Sequence, residues 1–231
     1  MDSPVTIFVG DNGSGKSTLL EAIALKLKLA LIGGQIENNA GFEAATILEP
    51  SIMLNWKREV RSGFFFRAED FSDFILGTER EKAKIVNELS ELKGVVDDSI
   101  IDQLNESMNY RLRNMKRQYG DNMQAYSHGE AYLKILQTRI GNKGIFLLDE
   151  PEAALSPLKQ LALIALIMEI VKGNNAQFIM ATHSPILMGI PNASLYEIQE
   201  DGMTKVAYNE TDHYRITKQF LDDPQFYLRH F

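Results

Sequence analysis

Short apolar runs alternate with longer amphipathic stretches along this chain. Runs rich in β-branched and aromatic residues predict buried strands at 4–9, 63–69, 145–148 and 176–181, and a weaker strand near 194–199. Stretches of strong helix formers predict helices at 16–31, 131–140 and 157–172. Because strands and helices alternate over residues 120–200, the pattern indicates an α/β fold with a mostly parallel sheet.

The stretch at residues 79–117 has a different pattern. It is rich in charges, places Leu and Ile at helical spacing and is broken at Gly94, which predicts two or three amphipathic helices. These helices interrupt the α/β alternation, so we predict a single domain over residues 1–231 with a helical lobe inserted at about 72–125. Residues 35–62 show neither period and are predicted to be irregular.

Composition and charge narrow the class of protein. The 231 residues are 45% hydrophobic and 24% charged, which is typical of a globular protein, and the absence of Cys excludes disulfides and thiolate metal sites. The net charge of −7 disfavours general attraction to nucleic acid or anionic lipid. The longest apolar stretch, 161–171, is too short to cross a bilayer, and no signal peptide is visible. We therefore expect a cytoplasmic protein without direct membrane insertion.

A glycine-rich segment follows the first predicted strand and precedes the first predicted helix. Gly10–Ser17 (GDNGSGKS) fits the P-loop pattern G-x-x-x-x-G-K-[ST], in which glycines let consecutive backbone amides face phosphate oxygens. The helix that follows directs its positive end at the same anion. Lys16 would reach the β- and γ-phosphates, and the Ser17 hydroxyl would bind Mg²⁺. The residues predicted to bind the nucleotide here are Gly10, Asn12, Gly13, Ser14, Gly15, Lys16, Ser17 and Thr18.

Two acidic residues end the predicted strand at 145–148. Asp149 and Glu150 follow it directly, and the carboxyl edge of a parallel sheet is where ligands bind in α/β proteins. Asp149 would hold Mg²⁺ through water, and Glu150 would orient and deprotonate the attacking water. The alternative is a strand that simply ends in solvated acids.

Four segments together resemble the ATP-binding-cassette (ABC) type of P-loop ATPase. Gly10–Thr18 is similar to its P-loop, Tyr126–Glu130 (YSHGE) to its signature, and Phe146–Pro151 (FLLDEP) to its Walker B strand with the catalytic glutamate. Thr182–Ser184 resembles the segment that carries its switch histidine, and the four segments stand in the order found in that family. The resemblance implies that ATP and Mg²⁺ are bound and that His183 senses the γ-phosphate.

The resemblance is closer to small stand-alone bacterial proteins labelled AAA family ATPases. These are related to ATPases of the overcoming-lysogenization-defect and abortive-infection kind. Further segments that carry the resemblance are 63–71 (GFFFRAEDF), 149–157 (DEPEAALSP), 182–187 (THSPIL) and the tail at 214–229. It implies a P-loop NTPase fold with an ABC-type nucleotide-binding domain, in which two copies sandwich two ATP molecules. Ser127 and Gly129 of one copy would then contact the γ-phosphate bound by the other.

The chain departs from the ABC pattern at four points. His128 replaces the first glycine of the signature, and Ser156 stands at the position of the D-loop aspartate. No glutamine marks a Q-loop; Glu69 or Arg67 could replace it, or could instead form a structural salt bridge. Only nine residues precede Gly10, so the usual aromatic partner of adenine is missing, and either adenine is held otherwise or the chain is short at its N-terminus.

Three functions remain open from the sequence. The first is a Mg²⁺-dependent ATPase that works as an ATP-dependent homodimer, with bacterial defence or nucleic-acid maintenance as candidate roles. The others are a nucleotide-gated interaction module with a protein partner still to be named, and the ATP-binding subunit of a membrane transporter.

Some charged and histidine residues allow only weak predictions. A basic cluster could contact DNA or RNA, although such a cluster is more often a solvated helix face and the acidic net charge favours that explanation: Arg111, Arg113, Lys116 and Arg117. The remaining histidines have no zinc-ligand spacing and are expected to be structural or solvated: His128, His213 and His230.

Overall fold

The computed structural model describes residues 3–32, 42–55, 62–71, 74–77, 80, 83–84, 87, 128–173, 175–199 and 201–229. Positions 74–77, 80, 83–84 and 87 are helical, as predicted for the start of the lobe. Most of the predicted lobe at 72–125, its basic cluster, Ser127 and His230 lie outside the described residues.

Seven strands within these residues form one sheet. They are β1 (Val5–Val9), β2 (Ala30–Leu31), β3 (Gly63–Arg67), β4 (Gly144–Asp149), β5 (Ala176–Ala181), β6 (Ser194–Gln199) and β7 (Gly202–Val206). Their order across the sheet is β2-β3-β4-β5-β1-β6-β7. Each neighbouring pair is parallel except β6 and β7, which form an antiparallel hairpin. The predicted mostly parallel sheet is confirmed.

Helices connect and flank these strands. They are α1 (Lys16–Leu27), α2 (Glu43–Leu48), α3 (His128–Arg139), α4 (Pro157–Val171), α5 (Pro185–Met188), α6 (Asp212–Asp222) and α7 (Pro224–Leu228). Short 3₁₀ turns occur at Glu49–Ser51, Pro151–Ala154 and Tyr208–Glu210.

Helices cover both faces of the sheet, so both faces are buried. Alternate residues of each central strand point to opposite sides and therefore join different clusters. In β1, Val5, Ile7 and Val9 join a cluster that includes residues of α3 and α4. Phe8, between them, joins the cluster on the other face, which includes residues of α1 and α2. The near-continuous apolar strands of the sequence are therefore explained by a sheet covered on both sides.

Several segments differ from the sequence prediction, which did not include β2, β7 or the helices α5, α6 and α7. The helix predicted at 16–31 ends at Leu27, because Lys28 takes a left-handed backbone conformation with φ of 52°. The N–H groups of Lys28 and Leu29 donate to the carbonyls of Leu25 and Ala24, which closes the helix, and the chain then enters β2. Residues 35–62, predicted to be irregular, contain α2 and a 3₁₀ turn.

Parallel pairing brings the carboxyl ends of β1, β3, β4 and β5 to one edge of the sheet, where α/β proteins bind their ligands. In the part of the chain that the structure describes, no helix has the length and apolar character needed to cross a membrane.

Candidate functional site

The P-loop lies at the end of β1 and leads into α1. Gly13 and Gly15 have φ of 80° and 92°, a left-handed backbone that favours glycine. Among the described residues, nothing lies within 4 Å of a Cβ built at either glycine, so conformation rather than crowding requires them. No described side chain caps the first turn of α1, which leaves its N–H groups available to an anion. Asn12 and Gly13 are exposed on this loop.

Lys16 folds back over the loop and is only 4% exposed. Its ammonium group donates to the carbonyls of Gly10 at 2.9 Å and Asp11 at 2.7 Å. Burial lowers the pKa of Lys16, and the negative charges of Glu150 and Asp149 partly offset that effect. The cation therefore lies inside the loop, close to the position predicted for phosphate binding.

Ser17 and Asp149 come from distant parts of the chain and meet at the sheet edge. The Ser17 hydroxyl donates to Asp149 Oδ1 at 3.2 Å. Asp149 is 7% exposed, and burial raises its pKa to about 7, although the hydrogen bond from Ser17 opposes this shift. The structure thus brings together the two residues predicted to bind the metal.

These two oxygen donors fit Mg²⁺. Hard divalent cations prefer carboxylate and hydroxyl oxygens, and a nearby cation would stabilise the charged form of the buried Asp149. Within the described ranges, no three or more His, Asp and Glu side chains are grouped to hold a metal by themselves. That is consistent with Mg²⁺, which is usually held by one or two protein ligands together with phosphates and water.

Glu150 occupies a strained position directly after β4. Its φ of 45° lies in the left-handed region, which is uncommon for a residue with a side chain and is often found at functional sites. Its N–H donates to the carbonyl of Ala181 at the end of β5. The side chain is 48% exposed and, with Ser17, Asp149 and Glu69, lines a cleft of about 530 Å³.

The predicted switch histidine follows β5 and faces Glu150. His183 Nε2 lies 3.6 Å from Glu150 Oε1, and it is buried without a hydrogen-bond partner among the described residues. Burial lowers the pKa of His183, and the Lys16 charge acts in the same direction. The structure therefore brings together Lys16, Ser17, Asp149, Glu150 and His183 at one edge, while their roles stay predictions.

Two further residues belong to this site: Glu152, which the sequence offered only as the next candidate for the base after Glu150, and His213, which was missed. Glu152 Oε1 accepts a 2.6 Å hydrogen bond from the backbone N–H of His183, and burial raises the pKa of this carboxyl group. His213 Nε2 lies 2.9 Å from His183 Nδ1 and also lines a second cleft of about 710 Å³ beside the P-loop. The only sequence signal near His213 is the family resemblance of the tail.

Of the two Q-loop candidates, Arg67 is engaged in a buried ion-pair cluster. It bonds Glu21 at 3.0 Å and Asp70 through two nitrogens at 2.7 and 2.9 Å. Glu69 also contacts Arg67, at 3.1 Å, but its side chain is 71% exposed and faces the cleft beside Asp149. Arg67 is thus the structural salt bridge considered from the sequence, and Glu69 remains the Q-loop candidate.

Gly129 lies in the first turn of α3 and packs within its own chain. A Cβ built there would lie 2.8 Å from the carbonyl oxygen of Ala154 and 2.9 Å from Lys159 Cδ. Close packing against the turn after Glu150 therefore requires glycine at this position. Its predicted contact with the γ-phosphate of a second copy stays a prediction.

Comparison with known proteins identifies a family, and the solved structures that resemble the chain share little sequence identity with it. No curated protein matches the chain. Among solved structures, the Smc head domain of Pyrococcus furiosus, bound to the C-terminal domain of ScpA, is 13% identical with a TM-score of 0.44, covering 96% of this chain and 93% of that one. A nucleotide-free ATP-binding cassette from an ABC transporter is 16% identical with a TM-score of 0.43, covering 97% and 87%. Stu0660 of Streptococcus thermophilus is 13% identical with a TM-score of 0.48, covering 88% and 71%.

A family profile described as "AAA domain, putative AbiEii toxin, Type IV TA system" matches residues 46–189. The match begins after the P-loop and includes Asp149, Glu150 and His183. Because the match covers more than half of the chain, the protein belongs to this family of AAA domains, whose description names a "putative AbiEii toxin" of a type IV toxin–antitoxin system.

Proposed function

We propose that this chain hydrolyses ATP with Mg²⁺ and does so as a pair of copies that sandwich two nucleotides. The observation that carries the proposal is the meeting of two pairs of side chains beside the P-loop. Ser17 and Asp149 are 3.2 Å apart, and Glu150 and His183 are 3.6 Å apart. A metal site and an acid–base site next to a phosphate loop are the parts that phosphoryl transfer to water requires.

ATP binding relies on the P-loop and α1. The backbone N–H groups of Gly13, Gly15 and Lys16 face the phosphates, and the positive end of α1 adds to their attraction. The Lys16 ammonium exchanges its contacts with the carbonyls of Gly10 and Asp11 for the β- and γ-phosphate oxygens. Ser17 and Asp149 hold Mg²⁺, which neutralises phosphate charge when bound.

Hydrolysis relies on Glu150. Its carboxylate accepts a proton from a water molecule while the water oxygen bonds to the γ-phosphorus. The bond from this phosphorus to the bridging oxygen breaks, and ADP leaves with the electron pair. His183, with a proton on Nε2, donates a hydrogen bond to a γ-phosphate oxygen and stabilises the charge that develops there. The left-handed backbone of Glu150 directs its side chain into the cleft rather than along the sheet.

A second copy completes each site in this proposal. The exposed Asn12 and Gly13, and the half-exposed Glu150 side chain, leave the phosphate face open to a partner. Ser127 and Gly129 of the partner would contact the γ-phosphate, as the resemblance to ABC proteins implies. We propose that residues 1–231 form one domain with a helical lobe inserted at about 72–125, and that the signature at 126–130 follows this lobe.

Sizing of the Glu150→Gln protein tests the pairing. Because this change blocks hydrolysis, light scattering with ATP and Mg²⁺ should show a dimer and, without nucleotide, a monomer. Adding Ser127→Arg places a bulky charge at the contact, so the double variant should stay monomeric while still binding ATP. A Glu150→Gln protein that stays monomeric at saturating ATP would contradict the sandwich and leave a single-copy ATPase.

Hydrolysis itself is tested by phosphate release from the unaltered protein. Release that requires both ATP and Mg²⁺ and disappears in Lys16→Ala supports the proposal, and absence of release under all conditions refutes it.

The family description mentions a toxin of the AbiEii kind, so we propose that the ATPase serves bacterial defence in the cytoplasm.

A further inference from the structure

The C-terminal tail is anchored on the segment that follows His183. The Tyr208 hydroxyl donates to the carbonyl of Pro185 at 3.0 Å. Thr211 is 1% exposed, and its hydroxyl lies 3.8 Å from the sulfur of Met188. Pro185 and Met188 are the ends of α5, which begins two residues after His183. Residues 208–211 therefore hold the start of α6 against α5, the short helix that follows His183.

This anchoring brings a second histidine against the first. His213 lies in the first turn of α6, and its Nε2 is 2.9 Å from His183 Nδ1, with the two rings inclined at 51°. At that separation one nitrogen carries the hydrogen and the other accepts it. The direction of this bond decides which nitrogen of His183 carries its proton when the ring is neutral.

The surroundings of the other His183 nitrogen select the direction. His183 Nε2 is buried, lacks a hydrogen-bond partner among the residues the structure describes, and lies 3.6 Å from Glu150 Oε1. An ionised carboxylate only accepts hydrogen bonds. An unprotonated Nε2 would therefore face a second acceptor, which is unfavourable, whereas a protonated Nε2 faces a complementary charge.

Both rings favour the neutral form. Burial lowers the pKa of His183, and burial also lowers the pKa of His213, with His183 and Lys16 acting in the same direction. The carboxylates of Asp11 and Asp212 oppose the shift at His213. For neutral rings the arrangement consistent with Glu150 is donation from His213 Nε2 to His183 Nδ1, which leaves the His183 proton on Nε2.

We propose that His213 is a positioning residue that holds His183 in the tautomer with its proton on Nε2. The proposal rests on the proposed function in one respect, since that proton is the one His183 would donate to a γ-phosphate oxygen. His213 does not touch the phosphate in this scheme. It acts through the orientation and tautomer of its neighbour, as carboxylates and carbonyls do for histidines in other sites.

Nuclear magnetic resonance tests the tautomer without any enzymatic assay. The chain has four histidines, so a long-range proton–nitrogen spectrum of ¹⁵N-histidine protein is simple, and the His183→Asn spectrum identifies the ring of interest. We expect His183 to show a protonated Nε2 and an unprotonated Nδ1 at neutral pH, with His213 protonated on Nε2. The opposite tautomer of His183, or rapid exchange between the two, would overturn the proposal.

Two matched variants separate the hydrogen bond from packing. His213→Phe keeps a ring of similar size but removes the donor, and His213→Gln places an amide N–H near the position of Nε2. One hydrogen bond of this kind corresponds to a change of about five- to tenfold, so kcat should fall by that factor in His213→Phe, with KM little changed. His213→Gln should recover most of the loss.

The outcomes distinguish this inference from the proposed function. Equal kcat values for His213→Phe and the unaltered protein would refute the positioning role, and so would an equal loss in His213→Phe and His213→Gln. If the unaltered protein hydrolyses no ATP, the proposed function fails, and the spectrum still decides whether His213 sets the tautomer of His183. If a variant does not fold, the spectrum of the unaltered protein decides alone.

Discussion

Two regions of the same sheet edge are built in different ways. The phosphate region (residues 10–18 with Asp149) is a single loop and helix start, joined by one hydrogen bond to the end of β4. The switch region (residues 150–156, 182–188 and 208–213) is assembled from three segments that bond to one another. Glu152 holds the backbone of His183, and His213 holds its ring. Local sequence thus determines the first region, whereas the second depends on tertiary contacts.

The difference predicts different consequences of substitution. In the phosphate region, buried charges such as Lys16 and Asp149 are desolvated, and their pKa values are shifted by burial in the directions that disfavour charge. Changes there should alter nucleotide affinity and the pH dependence of folding. In the switch region, changes should alter turnover or local stability, depending on which bond is lost.

The largest effect should follow from Glu150→Gln in the switch region. If Glu150 is the general base, as proposed, its loss should lower the rate of phosphate release by about 10²- to 10⁴-fold, with ATP binding retained in calorimetric titration. The control is Glu152→Gln, which keeps an oxygen acceptor for the His183 N–H and should retain most of the rate. An equal loss of rate in Glu150→Gln and Glu152→Gln would contradict the assignment of Glu150, rather than Glu152, as the general base.

Asp149→Asn should make the nucleotide-free protein more stable at high pH. The pKa of Asp149 is raised from the ordinary 3.8 to about 7 on folding. A carboxyl group with a raised pKa contributes stability below its unfolded pKa, and the contribution is lost as the pH rises through its folded pKa. Replacing it should therefore raise the free energy of unfolding at pH 8 by about 4 kcal/mol, and hardly at all at pH 4.

Denaturant unfolding of both proteins at the two pH values measures this effect. The same difference at pH 4 and pH 8 would contradict an origin in the ionisation of Asp149. With the metal ligand removed, the variant should also lose the stabilisation that ATP with Mg²⁺ provides to the unaltered protein, so stability and binding change in opposite directions.

Lys16→Ala should weaken ATP binding by about 10²-fold, because removing one partner of a buried charge pair carries a penalty of this order. Isothermal titration gives the dissociation constant directly. Lys143, exposed just before β4 at the opposite end of that strand, provides the matched control, and Lys143→Ala should bind ATP normally. If Lys16→Ala binds ATP with unchanged affinity, the hypothesis that the P-loop binds the ATP phosphates is wrong.

The smallest effect should come from Glu152→Ala. It leaves the backbone N–H of His183 without its acceptor and should lower the free energy of unfolding by about 2 kcal/mol at pH 4, where the buried carboxyl group is protonated and its burial carries no cost of ionisation. Chemical denaturation compares it with Glu152→Gln, which should lose less because the amide oxygen still accepts. If the two variants are equally stable, the 2.6 Å bond does not fix the switch segment.

The success of the sequence prediction follows the same division. The P-loop and the acids after β4 depend on neighbours within a few residues, so their spacing was sufficient to place them. The positions of β1, β3, β4, β5 and β6 followed from apolar runs that the two-sided burial of the sheet requires, whereas the edge strands β2 and β7 were not predicted. The predicted end of α1 at residue 31 was wrong, because helix propensity does not indicate that Lys28 adopts a left-handed backbone conformation.

The contacts that escaped prediction join residues far apart in sequence. His213 is separated from His183 by α5, β6, β7 and a 3₁₀ turn, and no periodicity indicates that the chain returns to the segment after His183. Arg67 likewise meets Glu21 across the space between β3 and α1. Sequence patterns report the environment of each residue, whereas the choice of partner depends on how complete elements pack.

The central position of β1 has a consequence for how the chain folds. This strand is the first of the seven to be synthesised, yet Val5 pairs with Phe178 and Thr6 with Ser194, so its neighbours β5 and β6 are the fifth and sixth to be made. Contacts between such distant residues are slow to form, because a long loop must close before they stabilise anything. During synthesis on the ribosome, β1 and the P-loop therefore lack their sheet partners until the last third of the chain emerges. Truncation anywhere before β5 would leave this strand permanently exposed, and such fragments should aggregate rather than fold.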